Sequence, residues 1–164
     1  MPFFASSMAV MGSDTDSLRL GYVINLGNGD EYWTERGGGG VFFNGNRVTR
    51  KRRANVVSFN IGDGGVEEYI GRLLSLRGGK KRALGCASLE LCLVATGSLD
   101  MMAYLGNGNR IRNVDVAAGV LAVRESGGAV VDERGGAEFR AGLDVSKRMN
   151  IVAVSDRNFL VDIL

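Results

Sequence analysis

The 164-residue sequence predicts a layered α/β (α+β) fold, on three observations. The first third has hairpin grammar, with alternating apolar segments parted by residues that favour tight turns. The remainder alternates short apolar strands with segments of helical period. A composition that is 45% hydrophobic and 23% charged belongs to an ordered globular chain. A chain of this length buries about two-thirds of the surface it exposes when unfolded, enough for a core without staples.

The elements follow in order. The apolar stretch Phe3 to Met11 opens the antiparallel region. Leu18, Leu20 and Tyr22 alternate with Arg19 and Gly21, and Gly27-Asn28-Gly29-Asp30 supplies a turn before a return strand at Tyr32-Trp33. The glycines at 37 to 40 break that strand, and Val41-Phe42-Phe43 leads into the tight turn Asn44-Gly45. Arg47, Arg50, Lys51, Arg52 and Arg53 read as a solvated connection. Residues 56–61 are a short buried strand. Val66, Ile70, Leu73 and Leu74 predict an amphipathic helix over 65–76. A second helix is expected at about 86–96, with Leu89, Cys92, Leu93 and Thr96 on one face and Gly97 as its cap. A third begins after Asp115 and ends at Gly127-Gly128. Strands at 129–131 and 151–154 and a closing helix from Phe159 to Leu164 complete the chain.

Composition also removes function classes. Without histidine there is no Ser-His-Asp or Cys-His triad and no His-ligated zinc. Cys86 and Cys92 are too few for a zinc cluster and read as reduced thiols in a cytoplasmic protein. A formal charge of +2 gives no global attraction to nucleic acid. Nine of the 20 basic residues fall at 47–53, 77 and 80–82, but only Phe59 and Tyr69 are interleaved with them, so nucleic-acid binding is not favoured. No apolar run approaches the roughly 20 residues of a membrane span, and the opening residues do not read as a secretory leader.

Two places invite chemistry. Asp115 precedes a small-residue helix, where it serves as an N-cap, as a metal ligand aimed by the backbone, or as both through its two oxygens. Gly85-Cys86-Ala87-Ser88 opens the preceding helix, where small residues either permit close packing or leave N–H groups open to an anion or to sugar hydroxyls. Lys80, Lys81 and Arg82 lie just upstream, as a solvated basic loop or as an electrostatic supplement to that site.

Leu84-Gly85-Cys86-Ala87-Ser88-Leu89-Glu90-Leu91-Cys92 through Asp100, then Val114-Asp115-Val116-Ala117-Ala118-Gly119 and Arg124-Glu125-Ser126-Gly127-Gly128, resemble in order the motifs of the inositol monophosphatase family. Its archaeal-type members also act on fructose 1,6-bisphosphate. Residues 29–32 and 40–45 resemble its more variable middle hairpin. The resemblance implies a layered αβαβα sandwich, N-terminally incomplete here. Residues 1–54 would be the remainder of an antiparallel-sheet domain, and residues 55–164 a C-terminal α/β domain. It implies Mg²⁺-dependent hydrolysis of a sugar or inositol phosphate monoester, the metal holding the phosphate and activating water. It implies Asp115 as a metal ligand, with Gly85, Cys86, Ala87, Arg82 and Tyr104 facing the substrate.

Departures from the pattern bear on activity. The family's Glu-Glu pair and Asp-Pro-Ile-Asp-Gly-Thr segment, which carry most of the metal ligands, belong N-terminal to everything present, and Glu67-Glu68 is a pair by letter only. No catalytic residue is therefore assigned, and the isolated chain is expected to be inactive. Cys86 stands where serine or threonine is usual, Val114 where tryptophan or threonine is usual, and Tyr104 near a position often acidic. The alternative is a non-catalytic family member acting as a dimer or interaction module. Loss of the covering segment predicts exposed apolar surface on residues 1–45, and hence homodimerisation or association with an N-terminal segment.

Overall fold

The computed structural model describes residues 3–49, 53–64, 79–107, 111–132 and 137–161. Five strands build the first sheet: β1 (Ala5–Val10), β2 (Leu20–Asn25), β3 (Glu31–Glu35), β4 (Phe42–Phe43) and β5 (Asn46–Arg47). They form an antiparallel meander in sequence order. The β4–β5 turn depends on Asn44 and Gly45, both at positive φ (48° and 78°), a conformation that asparagine and glycine tolerate best.

A second sheet holds β6 (Val56–Ile61), β7 (Lys80–Arg82), β8 (Met101–Leu105), β9 (Ala129–Val131) and β10 (Ile151–Val154) in the order β7-β6-β8-β10-β9. β6 runs parallel to β7 and β8, while β10 runs antiparallel to β8 and β9. Lys80, Lys81 and Arg82 are thus a paired edge strand and not a loop, with all three residues exposed. Sequence patterning also passes over β8, because a strand buried on both faces has no alternation to reveal it.

Between the sheets lie α1 (Ala87–Ala95) and α2 (Asn113–Glu125). They pack on each other through small residues: a Cβ on Gly119 would stand 2.4 Å from the Leu91 Cβ, and one on Gly21 of β2 would stand 2.8 Å from the Ala118 carbonyl oxygen. The expected one-sided face of α1 is corrected. Leu91, Val94 and Ala95 are as buried as Leu89 and Cys92, because this helix has sheet above and below it. α2 begins two residues before Asp115, which is therefore inside the first turn and not the cap. On the far side of the second sheet, Phe159 of α3 (Asn158–Val161) packs with Val57, Phe59, Met101 and Val152, and Arg53 lies over its ring at 4.4 Å. The expected helix over 65–76, and Glu67-Glu68 with it, falls outside the described residues.

The layers therefore run sheet, helices, sheet, helix. The outer face of the first sheet is bare among the described residues: Met8, Val10 and Leu20 are 63%, 55% and 40% exposed, and beside them Trp33 stacks on Phe42 with centroids 4.0 Å apart. No described helix is long and apolar enough to cross a membrane.

Candidate functional site

Where α1 and α2 begin, a cavity of about 430 Å³ opens against the start of β1. Its wall includes Gly85, Cys86, Ala87 and Ser88 from the entry to α1, Tyr104 from β8, and Val114 and Asp115 from α2, with Phe3 and Phe4 at the rim. Gly85, Cys86, Ala87, Tyr104 and Asp115 thus converge from segments up to 30 residues apart in sequence. Arg82 does not join them. It is exposed on β7, does not line the cavity, and donates to the Lys81 carbonyl at 2.9 Å.

Asp115 is half-buried and divides its carboxylate between two tasks. Oδ2 accepts from the Arg112 amide at 2.9 Å and meets the Arg112 guanidinium at 3.4 Å. This satisfies an amide at the helix start from the third helical position, the reciprocal of the expected N-cap. Among the described residues Oδ1 takes no hydrogen bond, so one oxygen remains free beside the cavity.

The entry to α1 is arranged differently from its sequence expectation. Gly85 sits at φ +83°, with open space where a Cβ would be. Its N–H and that of Cys86 do not face a ligand. They donate to Glu90 Oε1 at 2.9 and 3.1 Å. No side chain caps this helix, so the amides left without an intrahelical partner are those of Ala87, Ser88 and Leu89.

Glu90 is the residue that sequence reasoning missed. It is fully buried in the first turn of α1, and it also accepts from the Tyr104 hydroxyl at 2.8 Å and from Asn60 Nδ2 at 3.2 and 3.3 Å. A lone charge in an otherwise uncharged helix was the available signal, since a carboxylate is almost never fully buried unpaired. Burial first, then the charge of Glu90, raises the Tyr104 phenol far above its ordinary range, so it keeps its proton.

Comparison with known proteins shows the family to which the chain belongs. Residues 2–160 match the model of the inositol monophosphatase family. A fructose-1,6-bisphosphatase/inositol-1-monophosphatase of Thermococcus kodakarensis is 38% identical over 138 residues, covering 82% of this chain and 50% of the relative. A protein of the same description from Methanothermobacter thermautotrophicus is 32% identical over 165 residues, covering 95% and 58%. A solved structure from Pyrococcus horikoshii, described as similar to inositol-1 monophosphatase, superimposes with a TM-score of 0.77 at 26% identity, covering 99% of this chain and 61% of that one. The chain spans between half and three-fifths of the length of these proteins. With the family model matched over residues 2–160 and a relative 38% identical over 138 residues, the chain belongs to the inositol monophosphatase family.

Proposed function

We propose that this chain carries the C-terminal part of the site of a Mg²⁺-dependent phosphatase acting on an inositol or sugar phosphate monoester, such as inositol monophosphate or fructose 1,6-bisphosphate. The observation that carries the reading is the convergence of Asp115 with the entry to α1 on one cavity. The reaction adds water to phosphorus and releases the alcohol by breaking the ester P–O bond. In this reading the Ala87 and Ser88 amides at the helix start and the Tyr104 oxygen orient the ester, Gly85 and Cys86 form its wall, and Oδ1 of Asp115 is the chain's ligand for magnesium. Arg82 contributes only the field of its charge, from β7.

The described residues do not build the magnesium site by themselves. The cation takes about six oxygen ligands, and among the described residues no three Cys, Asp or Glu side chains converge on a point. The proposal assigns the other ligands to residues beyond these, supplied by an N-terminal segment of the kind the longer relatives contain, on the same polypeptide or another. A chain in this state works in the cytoplasm on a small phosphorylated polyol, with neither nucleic acid nor membrane as partner.

A second reading, a non-catalytic module acting as a homodimer or through a protein partner, draws support from the bare apolar face at Met8, Val10 and Leu20. The deciding experiment measures phosphate release from inositol 1-phosphate and fructose 1,6-bisphosphate, with magnesium, by the 164-residue chain and by an upstream-extended product. Turnover by the extended form alone, lost on Asp115→Ala, is the expected result. Turnover by the 164 residues alone overturns the shared site, and silence from both forms favours the module.

A further inference from the structure

We propose that Glu90 is a positioning residue: it draws the Tyr104 proton inward, so that the phenol oxygen meets the cavity as a hydrogen-bond acceptor and selects an ester that carries a free hydroxyl. The inference rests on reading the cavity as the ester site, and adds to it the feature by which one class of ester is told from another.

Each hydrogen-bond partner of the Glu90 carboxylate among the described residues is a donor: the Gly85 and Cys86 amides at 2.9 and 3.1 Å, Asn60 Nδ2 at 3.2 and 3.3 Å, and the Tyr104 hydroxyl at 2.8 Å. The two amides fix where Oε1 stands, because they belong to the turn that starts α1, while the carboxylate stem is held within the same helix. Oε1 in turn fixes the phenol. A phenol has one proton, and with that proton committed to Oε1 only lone pairs remain to face a ligand. Tyr104 shares the cavity wall with Gly85 and Cys86, which Oε1 also holds, and we infer that its oriented oxygen faces the cavity from that wall. A ring hydroxyl of a polyol donates to it, whereas a ligand without hydroxyls leaves it unpaired. Sites that hydrogen-bond a substrate hydroxyl reject analogues lacking it more strongly than apolar pockets reject size.

The test compares inositol 1-phosphate with cyclohexyl phosphate, which keeps the ring and the phosphate but has no ring hydroxyls. Binding of each to the upstream-extended product is measured by ligand-observed NMR titration, with calcium in place of magnesium so that neither ester is cleaved. Tyr104→Phe is expected to lower the affinity ratio of the first ester over the second by about tenfold, the loss of one hydrogen bond. Glu90→Gln, whose amide is able to donate to the phenol oxygen and turn its proton outward, lowers the ratio several-fold, and the double variant lowers it no further than Tyr104→Phe. Equal weakening of both esters by Glu90→Gln, additive effects in the double variant, or a ratio indifferent to Tyr104→Phe overturns the inference while the ester site stands. If Glu90→Gln does not fold, a ratio indifferent to Tyr104→Phe still overturns the inference. An upstream-extended wild-type product that binds neither ester overturns the ester site and this inference together.

Discussion

Gly119 of α2 rests against Leu91 of α1 with no room for a side chain: a Cβ built on the glycine would stand 2.4 Å from the leucine Cβ and 2.7 Å from its Cδ1. Leu91 is fully buried and has nowhere to retreat. Gly119→Ala is expected to cost about 1–3 kcal/mol by overpacking. Its urea midpoint should fall, and Leu91→Ala in the same background should restore part of the loss. Independent, additive penalties would show that the contact is not the cause.

Arg124 ties the end of α2 to two distant segments. Its guanidinium donates to the Thr15 carbonyl at 2.8 Å and to the Phe139 carbonyl at 2.7 Å, and pairs with Asp16 at 3.3 Å. Arg124→Ala strands both carbonyls, and about 1.5–3 kcal/mol of stability should be lost. Lysine has one point charge where arginine has a fork, so Arg124→Lys should recover less than half in denaturant melts.

Acid stability should carry the signature of Asp14. Its carboxyl is held below the ordinary 3.8, chiefly by the hydrogen bond from Arg140, with burial opposing. A folded value below the unfolded one means the stabilisation is complete above about pH 4 and disappears as pH falls through the lowered value. Asp14→Asn should flatten the acid limb of stability between those points and leave the neutral-pH slope unchanged. An unchanged acid limb in melts taken down to about pH 2 would argue against the assignment.

The two thiols should react very differently. Cys86 is half-buried on the cavity wall, while Cys92 is buried and its thiol is pushed well above the usual range, first by burial. Iodoacetamide should label one site quickly in the native chain and the second only in urea, with peptide mapping placing the first at Cys86. Equal native labelling would contradict the packing of Leu89 and Cys92 against Val23 and Ala118.

Much of this was legible because its determinants are local. Asn44-Gly45 declares a hairpin by backbone conformation alone, and the strands at 56–61 and 151–154 are short apolar runs between turns. Gly85, Cys86, Ala87, Tyr104 and Asp115 came through a motif order that no periodicity contains, and the structure gathers all five at one cavity. What stayed hidden depends on partners distant in sequence. Glu90 is intelligible only once Tyr104 and Asn60 stand beside it. Lys80–Arg82 is a strand because β6 pairs with it, and no intrinsic preference of lysine or arginine announces that. Asp115 looks like a cap by type, yet the helix starts earlier because Arg112 supplies the amide that its carboxylate binds.

The placement of α1 and α2 between the sheets has a mechanical consequence. No hydrogen-bonded ladder joins one sheet to the other among the described residues; the antiparallel and mixed halves meet through this pair of helices and through the bonds that Asp14, Thr15 and Asp16 make with residues 140–142. With both kinds of contact in place, loosening either helix is expected to weaken both halves together. Heating should then produce one calorimetric peak with matching van't Hoff and measured enthalpies, where a division into separate lobes would produce two.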